Sequence, residues 1–170
     1  MFFIRGLRWC ARPVYTERVI PALTSIGTNR TIDVTHLDRL AVFFCFGQET
    51  QHDAESIERA IRAQYSAAEV LIGHVVDLHS VPRMFRGMAE GILKSEYDKA
   101  VAALSVGETA EDYVVVLPDW DGAFIKSLAF AEDVSKRLGV AVFGRNGTLL
   151  GTVQSTDSAP KAIELLERAP

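Results

Sequence analysis

The chain has 170 residues, 48% of them hydrophobic and 24% charged, with a net charge of −4 and two cysteines. That length buries most of the surface an unfolded chain exposes, so one domain can fold without a disulfide or a metal staple; no cofactor and no metal site is expected. Interspersed acids and bases with a slight acidic excess argue against a nucleic-acid footprint, and two cysteines are too few for a secreted disulfide framework or a paired-ligand zinc site, which points to a reducing cytoplasm.

Residues 1–13 are basic, with no acid before Glu17. They suit an arm packed on the domain, with an organelle-targeting segment as the alternative. The stretch up to residue 30, broken by Pro13, Pro21 and Gly27, reads as arm and linker, which leaves residues 31–170 as the domain. Thr31 to Val34 reads as a short strand. Leu40 to Phe46 is apolar on both faces, the pattern of a central parallel strand covered by helices on each side. It is also the longest apolar run, far short of the ~20 residues that cross a bilayer, so no membrane span is expected.

From Asp53 onward Ala54, Ile57, Ile61 and Tyr65 recur at helical spacing, with Glu55, Glu58, Arg59 and Arg62 on the other face. Thr50 or Asp53 is placed to cap the first turn. A second strand over 70–76 precedes a helical region over about 82–104, opened by Pro82. A third strand over 113–117 ends in a turn at 118–122. A short helix through Phe124, Leu128 and Phe130 leads to strands at 140–143 and 148–153, joined by Gly144-Arg145-Asn146-Gly147, a hairpin signal. The last helix, over 158–168, buries Ala162, Ile163 and Leu166. Alternating strand and helix units closed by an antiparallel hairpin predict an α/β fold with a mixed sheet between helices.

This order, with three local stretches, resembles the thioredoxin-fold redoxins, the group holding peroxiredoxins and TlpA-like proteins, over residues 31–168. The stretches are Val42-Phe43-Phe44 running into a helix turn, Val116-Leu117-Pro118-Asp119-Trp120-Asp121-Gly122, and Val142-Phe143-Gly144-Arg145-Asn146-Gly147-Thr148-Leu149-Leu150-Gly151. The resemblance implies a thioredoxin-like three-layer sandwich whose mixed β-sheet ends in a C-terminal β-hairpin plus helix, and a homodimer as a common assembly. The active turn departs from the family. In the Cys-x-x-Cys register the two cysteine positions hold Glu49 and His52; in the peroxiredoxin register Thr50 falls on the active-site threonine, and the peroxidatic cysteine position holds Asp53. Leu138-Gly139-Val140 stands where the family carries its cis-proline, and Arg137 lies one position off the peroxiredoxin arginine.

The chemistry of such a fold needs a thiolate at a helix N-terminus, where the dipole and free amides lower its pKa. Cys45 lies inside the apolar strand instead, the setting of a small buried hydrophobe. Polar residues gather at the expected carboxyl ends of the strands, the usual ligand crevice of open α/β sheets: Glu49, Thr50, His52 and Asp53, then Asp77, His79 and Arg83, then Asp119 and Trp120. His52 and His79 with a carboxylate have the donor chemistry for a transition metal, but no tight ligand spacing supports a metal site. Arg83, Arg86 and Lys94 form a basic run, and Gly144–Gly147 is a strand-joining turn, not a phosphate loop. Two functions stand. One is a redoxin-like binding or interaction module without the dithiol, taking a protein or small-molecule ligand in this crevice. The alternative is a divergent thiol-dependent oxidoreductase or peroxidase acting through Cys45, so the sequence alone leaves open whether the protein is an enzyme.

Overall fold

The computed structural model describes residues 19–170. Expectations that fall on the basic segment, Trp9 and Cys10 lie outside the described residues. Ile20 and Leu23 rest on the core, and Leu23–Thr24 (β1) pairs antiparallel with Thr31–Ile32 (β2). The described part of the expected linker supplies β1 and the turn of this small hairpin, with Gly27 at φ 81° and Asn29 at φ 53°.

The central strand is β3, Leu40–Phe46, and from Ala41 to Cys45 it has no solvent exposure. It pairs in parallel with β4, Val70–Asp77, which pairs in parallel with β5, Val116–Asp119. On its other side β3 meets β6, Gly139–Phe143, antiparallel, and β6 meets β7, Leu149–Val153. The sheet order is β5-β4-β3-β6-β7. Alternation along β3 divides the interior in two. Ala41, Phe43 and Cys45 join Ile32, Val34, Leu117, Phe124 and Phe143 on one face; Val42, Phe44 and Phe46 join Ile57, Ile61, Ala162 and Leu166 on the other. The second face is covered by helices α1, Gln51–Arg62, and α5, Ser158–Glu167. The first is closed by β1–β2 and helix α4, Ala123–Leu128. The expected three-layer α/β sandwich is what the chain forms.

Several boundaries move, each for a tertiary reason. Tyr113, expected in a strand, ends the short helix α3, Ala110–Tyr113. The Arg62 guanidinium lies 5.5 Å from its ring centroid, and Arg39 bonds the neighbouring Asp112 at 3.0 Å, so side-chain contacts override strand propensity there. Pro118 and Asp119, expected in a turn, still pair with Val76 and Asp77. Proline is tolerated because β5 is an edge strand and its missing N–H costs no ladder bond. The helical region after Pro82 opens with a 3₁₀ turn, Arg83–Phe85, before α2, Arg86–Ala102.

Two interactions set the stability of this frame. Gly73 on β4 lies under Phe43: a Cβ there would meet its ring at 2.6 Å, and that ring packs edge-on against Phe124 and Phe143, each 5.6 Å away. Overpacking a core of this kind costs about 1–3 kcal/mol, so Gly73→Ala should lower the urea midpoint accordingly. An unchanged midpoint would mean that Phe43 has room to move. On the other face His74 Nε2 meets Glu58 Oε2 at 3.0 Å between β4 and α1. Burial works to raise the Glu58 carboxyl, but the hydrogen bond and charge of His74, with Arg62, hold it below its ordinary value. A depressed acid stabilises the fold above its unfolded pKa and loses that contribution as pH falls through the folded value. The stability gap between wild type and Glu58→Gln, read by urea titration, is therefore expected at neutral pH and should close below about pH 4; a gap constant with pH would refute the pairing.

Candidate functional site

Chain direction places the carboxyl ends of β3, β4 and β5 on one edge, and the turn from β3 into α1 lies there. Thr50 ends that turn, buried at 5% exposure. Its hydroxyl donates to the Val134 carbonyl at 2.7 Å and accepts from the Gly47 amide at 3.2 Å. Neither Thr50 nor Asp53 caps α1 through its side chain as expected: the Thr50 hydroxyl is committed to Val134, and the Asp53 carboxylate lies 3.2 Å from His52 Nε2. The segment from Ala131 to Leu138 is pressed onto the turn, since a Cβ at Gly47 would stand 3.1 Å from the Ser135 backbone. Gln154, just past β7, fastens the same segment, donating to the Glu132 and Arg137 carbonyls at 2.9 and 3.2 Å.

This closure separates residues that the sequence placed in one crevice. Glu49 and His52 face solvent. Asp77 and His79 line a cleft of about 410 Å³ with Gly122, Lys126, Phe130 and Asp133. There the His79 Nδ1 and Asp77 Oδ1 are 2.6 Å apart, an arrangement in which the carboxylate fixes the imidazole's tautomer and orientation. Asp53 instead lines a second cleft of about 390 Å³ with Ser56, Lys136, Arg137, Ser155 and Ser158. The two clefts share no residue. Asp119 reaches neither, because its Oδ2 accepts the Ile125 amide at 2.9 Å at the start of α4. Burial pushes its carboxyl above the ordinary range, with the amides of Ile125, Phe124 and Ala123 working against that and Asp77 adding to it. Trp120 is stacked under Arg86, whose guanidinium carbon is 5.4 Å from the ring centroid. Arg83 is exposed on the 3₁₀ turn.

Cys45 does not reach this edge of the sheet. It has no exposure, and burial, then Asp119 and Asp77, push its thiol well above the ordinary cysteine value. A group in that state supplies no thiolate near neutral pH. Among the described residues, no three His, Cys, Asp or Glu side chains gather as a metal site. Lys126, Asp133, Lys136 and the serines of the β7–α5 connection were not singled out from the sequence. For Asp133 and Lys136 the only signal was a polar stretch ahead of β6, where the redoxin resemblance drew notice to Arg137 and to Leu138-Gly139-Val140.

No protein-family model matches the chain, and no curated protein matches it. Solved structures do. The exposed lipoprotein thioredoxin Etrx1 of Streptococcus pneumoniae superposes with a TM-score of 0.57 at 13% identity, over 86% of this chain and 96% of that one. A secreted Mycobacterium tuberculosis disulfide oxidoreductase homologous to DsbE gives 0.52 at 16% identity, over 90% and 96%. StoA from Bacillus subtilis gives 0.54 at 11% identity, over 87% and 98%. The fold is thioredoxin-like.

Thr50→Val keeps the shape of this turn and removes its hydroxyl, leaving the buried Gly47 amide without its acceptor and Val134 without its donor. Unmet buried partners of this kind cost about 1–3 kcal/mol each. Faster hydrogen exchange is expected at Gly47 and through residues 131–138, with the exchange of β4 unchanged. Uniform acceleration would mean that the bond does not act locally.

Proposed function

We propose that this thioredoxin-fold chain is a binding module rather than a thiol enzyme, and that it holds a ligand or partner peptide at the cleft beside the start of α1. One observation carries the reading: the turn from β3 into α1 holds Glu49, His52 and Asp53 at the positions where either register would put a thiolate, while the strand's cysteine is sealed in the core. The cleft next to that turn keeps the features of a recognition site. Ile57 and Leu138 give it an apolar floor, and Lys136, Arg137, Asp53 and the Ser155 hydroxyl supply charges and polar contacts around it. Exposed Glu49 and His52 stand near its rim in sequence, and the Asp77–His79 cleft on the other side of residues 131–138 is available to the same partner.

The structural neighbours include a disulfide oxidoreductase, but likeness of fold at this identity does not carry chemistry across. The pneumococcal protein is exposed and the mycobacterial one is secreted; for this chain the cytoplasm remains our reading, on its cysteine count. No helix among the described residues is long and apolar enough to cross a membrane.

The test is enzymatic. Full-length protein should reduce insulin disulfides and consume hydrogen peroxide no faster than buffer with dithiothreitol alone, and Cys45→Ser should behave identically. Peroxide consumption that disappears in Cys45→Ser would sink the binding-module reading in favour of the peroxidase.

A further inference from the structure

The segment that separates the two clefts is electrically polarised along its length. It reads Glu132-Asp133-Val134-Ser135-Lys136-Arg137, two acids followed by two bases, and it is folded as a turn in which the Lys136 amide donates to the Asp133 carbonyl at 3.0 Å. Val134 is buried beneath the turn, while Asp133 and Lys136 are exposed on it. The acidic end lines the Asp77–His79 cleft, where three acids meet one lysine and a histidine; the basic end lines the cleft beside α1, where two bases meet Asp53. Several of these charges already answer one another. Glu132 and Arg137 pair at 3.2 Å, Asp77 faces His79, Asp53 lies 3.2 Å from His52, and Lys126 Nζ reaches the Asp121 carbonyl at 3.4 Å. Asp133 and Lys136 remain. The Ser135 amide and hydroxyl hold the Asp133 carboxyl below its ordinary range, so it is ionised at neutral pH, and Lys136 makes no ion pair among the described residues.

We propose that the partner is an extended peptide crossing this ridge with a basic and an acidic residue two positions apart, the basic side chain set on the Asp133 side and the acidic one on the Lys136 side. The proposal rests on the binding reading above and adds the chemistry of the partner. The spacing follows from the backbone. Residues that close a hydrogen-bonded turn have Cα atoms within about 7 Å of each other. An extended chain advances about 3.3 Å per residue and turns alternate side chains to the same side, so two residues, i and i+2, stand about 7 Å apart on one face. Oppositely charged neighbours in sequence would point to opposite faces and reach only one end of the turn. A pair of like charges would meet repulsion at one end, and complementarity of this kind selects among partners more than it raises affinity. The walls suit such side chains. Ile125 and Phe130 on one side, and Ile57 and Leu138 on the other, offer apolar surface to the aliphatic stems behind the charges.

The experiment is an NMR titration of the nitrogen-labelled full chain with end-blocked alanine-serine peptides that carry, at their centre, Lys-x-Glu, Glu-x-Lys, Lys-x-Lys, Glu-x-Glu or an adjacent Lys-Glu. One of the two spaced opposite-charge orders, whichever matches the direction in which the peptide runs, should bind about tenfold tighter than either like-charge peptide. The amides of residues 131–138 should shift with it. Two variants check the ends of the turn. Asp133→Asn keeps an acceptor for the Ser135 amide and removes the charge, and Lys136→Glu reverses the other end; each should abolish most of the preference, and Lys136→Glu should transfer it to Lys-x-Lys. Both positions are exposed, and matching thermal unfolding will show that the fold is kept. The peptide comparison on wild type stands without either variant. Equal affinity for all five peptides at these clefts would overturn the proposal and leave the binding module standing. No shift at residues 131–138 with any peptide would also overturn it, whereas the binding module itself falls only to peroxide consumption that is lost in Cys45→Ser.

Discussion

The Thr50 hydroxyl sits between two parts of the chain that would otherwise be free to separate. It takes the amide of Gly47 at the end of β3 and gives its own proton to Val134, 84 positions later. Both ends are buried, so the bond competes with no water, and breaking it would strand a donor and an acceptor in the interior. The arrangement of this edge of the sheet follows from it. With residues 131–138 held down at Val134 and tied again by Gln154, one cleft opens beside Asp77 and His79 and another beside Asp53 and Arg137. A single buried threonine thus shapes the surface of this edge.

Below that edge, the sheet ends in a concentration of acid. Asp77 and Asp119 lie on neighbouring strands and pair in register, and both raise the pKa of the Cys45 thiol. Asp119 is tolerated because the backbone amides at the start of α4 face its carboxylate, the ready-made anion partners of a helix start. Asp77 is tolerated because His79 Nδ1 lies 2.6 Å from its Oδ1, within hydrogen-bond distance. Negative charge beneath a cysteine is the opposite of what a nucleophilic thiol requires, so electrostatics and burial act on Cys45 in the same direction.

Much of the frame was legible because it rests on local pattern. Seven apolar residues from Leu40 to Phe46 can be nothing but a strand covered on both sides, and Asn146-Gly147 marks the β6–β7 hairpin. Tyr113 and Pro118 were misplaced because distant contacts decide them: an arginine from α1 on the tyrosine ring, and an edge position for the proline. The site was legible in part. The polar residues at the strand ends are where the parallel topology puts them, yet sequence spacing carries no sign that Val134 closes over Thr50, and without that closure two clefts read as one. Asp119 and Trp120 looked like ligand residues because turn sequences are polar; in the fold one serves the backbone of α4 and the other supports Arg86.

Pro118 has an effect beyond its own strand. An edge strand is a template: its outward amides and carbonyls invite an extended chain to add itself to the sheet. On β5 the proline removes one donor, and the Val116 carbonyl is already taken by the Ile26 amide at 2.9 Å, so the template is interrupted there. β7, at the opposite border, has no proline in Leu149–Val153 and is paired on one side alone among the described residues. Growth of this sheet, whether by a guest strand or by unwanted aggregation, is thus polarised: one border is blunted and the other is the place to look for it.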